Sequence, residues 1–586
     1  MIASYGTSVP LMDSWDIEAS GIYKPLVEGA YHFKNLFAPV AEHHFVFYKL
    51  LSLLIFQGNN QQWDALPQLC VHAALYAMIG AVLAWILIDA FGIAVTNLAI
   101  LVVGVSFALP VEWENVIRVI GVPYFFELLF SLLAIWGAGL HPALSGRWFF
   151  GVVMALCALV SNGAGFLASA SIFLIAAYNA MKAGRITRGN AVTLVLKFGF
   201  IVSGKMMAHP DATTAPLKAH SLHAFFLALT KNMSWPFDGY PWLALIQLPL
   251  LIFLIDALRT KAPQRAHQLA IGIGAYVWLH MLATAYARGA NGHGPMARHI
   301  DAHVLGLIFG AFCLLSLVKN APARFRPFVA IGAASWCVLI AGGFAQECVG
   351  SFVQHYPQMA AARPTMVANV RAYLASHDPS ALRDKRAGEL PYPMPERLAQ
   401  KLDDPMFVKI LPAILQNPIR LDSQNSAGFT NDASSLPAPR ADIRVWSSYS
   451  KNGASEKAFF RSQPITASLP YLQFETLGSK TTMTLTSADG VAIRKTLPRS
   501  VGEWRRVHVK TPKSPFTIEV KNERADAWCA FTEPKQIGRL SRVADGLLAH
   551  ANTFCLGSIA ALLLLLFYGA FAAVGDQNAK SPASLT

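Results

Sequence analysis

"QLCVHAALYAMIGAVLAWILIDAFGIAVTNLAILVVGVSFALP", residues 68–110, carries Asp89 as its one charged residue. About 20 apolar residues in a helix cross the hydrocarbon core of a bilayer, so this stretch reads as two consecutive spans, 66–90 and 92–110. Helix is the fitting conformation because every backbone N–H and C=O inside lipid must be satisfied within its own segment. Working outward, apolar runs of similar length recur at 122–140, 147–161, 164–181, 190–208, 241–258, 267–288, 300–318, 327–346 and 548–574. The reading is therefore eleven spans, with the short fourth and fifth alternatively one long helix kinked at "SNGAG", 161–165.

The whole chain agrees with its decisive stretch. Of 586 residues 54% are hydrophobic and 14% charged, and the mean hydropathy is +0.40, too apolar for an ordinary soluble protein of this length. Basic residues concentrate in short loops: Arg147, then Lys182, Arg185 and Arg188, then Arg259, Lys261 and Arg265, then Lys319, Arg324 and Arg326. Alternating spans put all of them on one side, which the enrichment of Lys and Arg in cytoplasmic loops marks as inside. The formal charge of +14 is thereby a topology signal, and no nucleic-acid partner is implied. The expected location is a bacterial inner membrane, with residues 1–65 and 347–547 outside and the C-terminus cytoplasmic. Since nothing in the first residues resembles a signal peptide, a first span preceding the given start is favoured over translocation by the helix that follows.

Composition changes after the tenth span. The expected units are a first outer loop with amphipathic helices (1–65), a transmembrane unit (66–346), an outer helical region with linker (347–440), a β-sandwich (441–545), a last span (546–575) and a cytoplasmic tail (576–586). "PTMVANVRAYLASH" and "MPERLAQKL" carry helical spacing, and Asp404 before Pro405 is a cap followed by a first-turn proline. "TTMTLTSADGVAIRKTL" alternates with period two about a turn at Asp489 and Gly490, and the strands around it suggest a jelly-roll. Its aromatics Trp446, Tyr471, Trp504 and Trp528 would either bind carbohydrate or fill the core, the second being the commoner use. Cys348 and Cys529 lie outside the spans, either as a disulfide or as two thiols, and no CxxC spacing appears.

Titratable residues beside a membrane are costly to keep, so their outer clusters are candidate sites. They are Asp13, Asp16 and Glu18; Glu42, His43, His44 and Lys49; Glu112, Glu114 and Arg118; and Arg288, His293, Arg298, His299 and Asp301. A carboxylate serves as general base toward a hydroxyl, while Arg and His hold a departing phosphate. The Glu-His-His run at 42–44 leaves a divalent metal open without a diagnostic spacing.

Taken in order, Pro10, Asp13 and Trp15, then Glu42 and His43, "WEN" at 113–115, "SNGAG", and "YARG" through Arg298 resemble a family of bacterial polytopic proteins. That family is related to the GT-C glycosyltransferases, among them the protein mannosyltransferases and the aminoarabinose lipid A transferases. The resemblance covers most of residues 5–346 and touches "LPYP" and "WCAF.EP" further on. It implies a GT-C-like polytopic α-helical fold and inverting transfer of a sugar from a polyprenyl-phosphate donor to a glycan or lipid acceptor. It places an outer-loop acid as base, matched here by Asp13 with Asp16 as second choice. Phosphate contacts would fall to Arg288, Arg298, His299 and, because the family's "EHR" reads "EHH" here, to His44 or Lys49. Trp15, Glu42, His43, Glu114 and Arg118 are the expected sugar or acceptor contacts. No cofactor is required beyond a possible divalent metal. Two other classes compete: a transporter or flippase of lipid-linked sugars, for which Lys197 and Lys205 are the candidate membrane charges, and a silent scaffold binding glycan through the sandwich.

Overall fold

A computed structural model describes residues 1–579 apart from 209–213, 238, 263, 433, 437–442, 451–452, 455–456 and 523–526. The end of the expected linker, the first sandwich residues and most of the expected tail lie outside the described residues. The spans form helices α1 (Ala65–Phe91), α2 (Thr96–Ala108), α3 (Val122–Ala134), α4 (Gly146–Ser161), α5 (Phe166–Ala183), α6 (Arg188–Met207), α7 (Leu248–Arg259), α8 (Arg265–Arg288), α9 (Asp301–Asn320), α10 (Arg326–Gly350) and α11 (Ala551–Ala579).

The expected eleven spans become nine among the described residues by length and apolarity, or ten if α11 and the bent helix Arg539–Ala549 count as one. The run missing from either count is α4, sixteen residues long, about 24 Å of rise against a ~30 Å core. At "SNGAG" the two helices separate, because Asn162 is fully extended (φ −155°, ψ 160°). The tenth helix also runs past its expected end at 346, and a π-helical turn (Ser351–His355) carries it on into the helix Tyr356–Ser376. Beyond the lipid a helix no longer needs apolar residues all round, so hydropathy marks the end of the lipid and not of the helix. Local signals set the other boundaries: Asp64, Ser145 and Thr187 cap α1, α4 and α6 through side-chain oxygens, and α5 stops at Gly184 with φ +63°.

One end of the bundle gathers the basic loops. Arg265 pairs with Asp89 at 2.5 Å, His141 lies 3.2 Å from Arg147 and 3.4 Å from Arg265, and Lys182 donates to the carbonyls of Leu258 and Thr260 at 2.6 Å each. At the other end the first 65 residues share a core with the helical region that follows α10, where Trp15, Tyr23 and Trp63 pack with Met366, Tyr373, Tyr392 and Leu398. Glu18 is fully buried at this seam and accepts from Ser52 (2.7 Å), Trp63 (3.0 Å), Gln68 (2.5 Å) and Tyr23 (3.2 Å). Trp15→Ala is expected to cost ~3–5 kcal/mol, read as a lower unfolding midpoint in detergent.

The β region holds strands β1 (Ser423–Asn425), β2 (Val445–Ser447), β3 (Tyr449–Ser450), β4 (Gly453–Ala454), β5 (Ala458–Ser462), β6 (Tyr471–Gly478), β7 (Thr481–Ser487), β8 (Ala492–Leu497), β9 (Ser500–Lys510), β10 (Phe516–Asn522), β11 (Cys529–Thr532) and β12 (Lys535–Ile537). One antiparallel sheet runs β1-β5-β10-β7-β8, and a second runs β12-β6-β11-β2 with β9 paired to β6. Their inner faces share one core, including Trp446, Phe460, Phe474, Leu485, Ile518 and Phe531. Strand structure thus begins at Ser423, inside the stretch expected to be linker. The β7–β8 hairpin turns where expected, with Gly490 at φ +84° supplying a conformation that L side chains rarely adopt. Trp446 is core, which removes it as a carbohydrate contact. Cys348 and Cys529 are both buried free thiols, so the disulfide alternative does not hold.

Candidate functional site

At the end of the bundle opposite the basic loops a cavity of about 320 Å³ opens among α3, α5, α6, α8, α9 and the 42–43 turn. Six of the expected site residues line it: Glu42, His43, Arg288, Arg298, His299 and Asp301. They arrive from chain segments 250 residues apart because the turn at 42–43 docks on the α4–α5 break, where the Gly163 N–H donates to His43 Nδ1 at 2.9 Å.

That hydrogen bond leaves the His43 proton on Nε2, which lies 3.8 Å from Glu42. Burial pushes the His43 imidazole down to about 4, the Glu42 charge opposing and Arg288 reinforcing the shift. Because the unfolded chain binds the extra proton between about 4 and 6.5, stability contributed by neutral His43 is present above that window and lost as pH falls through it. Removing the ring with His43→Gln is expected to flatten this part of the pH–stability curve by on the order of 2 kcal/mol, measured as the difference in unfolding midpoint between the two proteins from pH 7 to 4. A parallel pair of curves would contradict the assignment. For Glu42, burial alone would raise the carboxyl, but the hydrogen bond and charge of Arg288 at 2.5 Å, with His43 and Thr214, hold it below its ordinary value. Arg298 lies 3.5 Å from Glu114, which is also paired with Arg118 at 2.5 Å. Glu114 and Arg118 therefore stand behind Arg298 and do not line the cavity themselves.

Other expectations are corrected by contacts. Trp15 is fully buried, its indole N–H given to the Pro10 carbonyl (2.9 Å) and its ring edge-on to Trp63, so it has no face for a sugar. Asp16 accepts from Tyr392 (2.7 Å) and pairs with Lys401 (3.0 Å), a tie to the helical region that follows α10. Lys49 donates to the carbonyls of Asn35 (3.4 Å), Leu36 (3.3 Å) and Ala38, so its ammonium orders a turn and offers nothing to phosphate. His44 donates from Nδ1 to the Phe37 carbonyl (2.8 Å), with Nε2 3.3 Å from the Met207 carbonyl. His299 lines the cavity as a neutral ring, since burial and then the charges of Arg298 and Arg288 hold it well below the usual imidazole range. Among the described residues no three His, Cys, Asp or Glu side chains gather to hold a metal. The 42–44 run in particular spends its groups on Arg288, Gly163 and backbone carbonyls.

Asp13 is exposed and does not line the cavity, yet it sits within the fields of Arg298, Asp16, Arg118 and Glu114. Its carboxylate makes no side-chain hydrogen bond to another described residue. The side chain is open to solvent, and the desolvation of its carboxyl by the neighbouring chain raises its pKa, opposed first by Arg298.

Several cavity residues escaped the sequence reading. Glu127 of α3 is buried and accepts from Tyr276 (2.8 Å), His280 (2.9 Å) and Asn162 (3.0 Å), joining α3, α8 and the α4–α5 break beneath the cavity. Tyr124 and Lys218, which belong to none of the expected clusters, also line it, as does Lys205, expected only as a membrane charge. A lone acid in "VPYFFELLFSLLA" is the signal that identifies Glu127, because an unpaired carboxylate inside a span is too costly to be incidental.

These features define a multi-pass membrane protein with an antiparallel β-sheet region and a polar, cation-rimmed cavity at one end of its helical bundle. No protein-family model, curated protein or solved structure matches the chain.

Proposed function

We propose that the protein is an inverting glycosyltransferase that moves a sugar from a polyprenyl-phosphate donor to a cell-envelope acceptor at the outer face of a bacterial inner membrane. The observation that carries this reading is the convergence of Arg288 and Arg298 on one cavity at a span end, with Asp13 in the field of Arg298. A lipid phosphate sits at that level of a bilayer, and guanidinium groups fixed by Glu42 and Glu114 are preorganised to take the charge that develops on it as it leaves, an effect worth a few kcal/mol of barrier. Asp13 accepts the acceptor hydroxyl's proton as the oxygen attacks the anomeric carbon opposite the phosphate.

The test is transfer from a radiolabelled polyprenyl-phosphate sugar to an envelope lipid extract by the protein in nanodiscs. Asp13→Asn is expected to lower transfer at least a hundredfold while donor binding and unfolding midpoint stay within error; undiminished transfer removes Asp13 as base. A flippase of lipid-linked sugars is the second reading, favoured by the Glu127–His280 pair inside the bundle (2.9 Å), of a kind used in membrane relays. It predicts donor movement between leaflets with no acceptor present.

A further inference from the structure

Residues Phe33–Phe37 form a single 3₁₀ turn whose two aromatic rings face outward, Phe33 76% and Phe37 47% exposed. The rings pack edge to face with centroids 5.5 Å apart, while Leu36 between them is buried. A solvent-facing turn has no reason to present two phenylalanines, and this one is held with unusual firmness. The ammonium of Lys49, itself 4% exposed, is aimed at the carbonyls of Asn35, Leu36 and Ala38. Burying a charge to order a turn is costly, and the turn gains a fixed shape for it.

The depth of the turn follows from its neighbours. His44 donates to the Phe37 carbonyl and faces the carbonyl of Met207 at 3.3 Å, and Met207 is the last residue of α6. A span end marks the boundary between acyl chains and headgroups, the zone where interfacial segments bury Phe and Leu side chains among the lipid tails. The same place borders the cavity, since Lys205 and Ala208 on one side and Glu42 and His43 on the other line it.

We propose that the Phe33–Phe37 turn is a rigid aromatic wedge seated in the outer leaflet beside the cavity, its rings against the tails of membrane lipids. The inference needs the chain to span a bilayer and does not depend on the transfer reaction. It gives a lipid-tailed ligand a lateral route, with the phosphate in the cavity and the tail along the wedge.

Photo-crosslinking in phospholipid nanodiscs tests it with phospholipid alone. p-Benzoylphenylalanine is placed at position 33 or 37, at Val195 on the outside of α6 (74% exposed), and at Val491 in the β7–β8 hairpin (54% exposed). Positions 33 and 37 are expected to give lipid adducts within threefold of position 195 and at least tenfold above position 491. Yields at the level of position 491, with position 195 labelled, overturn the proposal. In a Lys49→Met background the yield at 33 is expected to fall at least threefold with that at 195 unchanged; an unchanged yield at 33 overturns the role given to the lysine.

Discussion

Arg288→Ala is expected to weaken binding of a polyprenyl phosphate at least a hundredfold and to lower transfer by more than that. Arg288 points into the cavity and is held by Glu42 at 2.5 Å, with its other amino group on the Ala287 carbonyl at 2.9 Å. A guanidinium fixed in this way loses little entropy on meeting a phosphate, and two charge-assisted hydrogen bonds account for a hundredfold at about 1.4 kcal/mol per factor of ten. The substitution also leaves Glu42 without its principal cation, and a half-buried carboxylate beside donor phosphate repels it. Arg288→Lys is expected to recover only part of the loss, because an ammonium replaces the planar fork by a point charge. Isothermal titration in detergent checks both, and the double variant Arg288→Ala with Glu42→Gln separates lost attraction from added repulsion by recovering about tenfold.

Gly151→Leu is expected to prevent the helical bundle from assembling. The π-helical turn Ile135–Gly139 that ends α3 lies against α4 so closely that a Cβ on Gly151 would fall 2.1 Å from the Ala138 nitrogen and 2.8 Å from the Gly137 Cα. Both are backbone atoms that no rotamer change can move. Small residues at such crossings let membrane helices pack backbone to backbone, and in lipid that packing is a main source of association. A large side chain forces the helices apart by several ångström, with an expected cost above ~4 kcal/mol. Loss of the monodisperse species on size-exclusion chromatography is the readout, and a folded Gly151→Leu protein would contradict the close crossing.

The spans were legible because lipid demands long apolar runs, and each expected run is a helix. What hydropathy could not place was the end of α10, since polar residues continue a helix once it leaves lipid. The candidate site was half legible. Glu42, His43, Arg288, Arg298 and His299 gather as their types and shared side suggested, whereas Asp16, Lys49 and Trp15 are spent on Lys401, the 35–38 carbonyls and the Trp63 core. Local sequence cannot distinguish a free carboxylate from one whose partner lies hundreds of residues away. Glu127 belongs to no local cluster, and its donors Tyr276, His280 and Asn162 lie on other helices or at the α4–α5 break, so only its isolation in an apolar span marks it in the sequence.

The proposed transfer requires a lipid phosphate to occupy this cavity. The direct measurement is photolabelling of the full chain in nanodiscs with a polyprenyl phosphate bearing a photoreactive group on the isoprene unit next to the phosphate, followed by peptide mapping. Adducts are expected in the 276–302 segment and around 42–43, competed by unlabelled polyprenyl phosphate and lost in Arg288→Ala. Adducts confined to the outer surfaces of α6 and α11, unaffected by competitor or by that substitution, would contradict it.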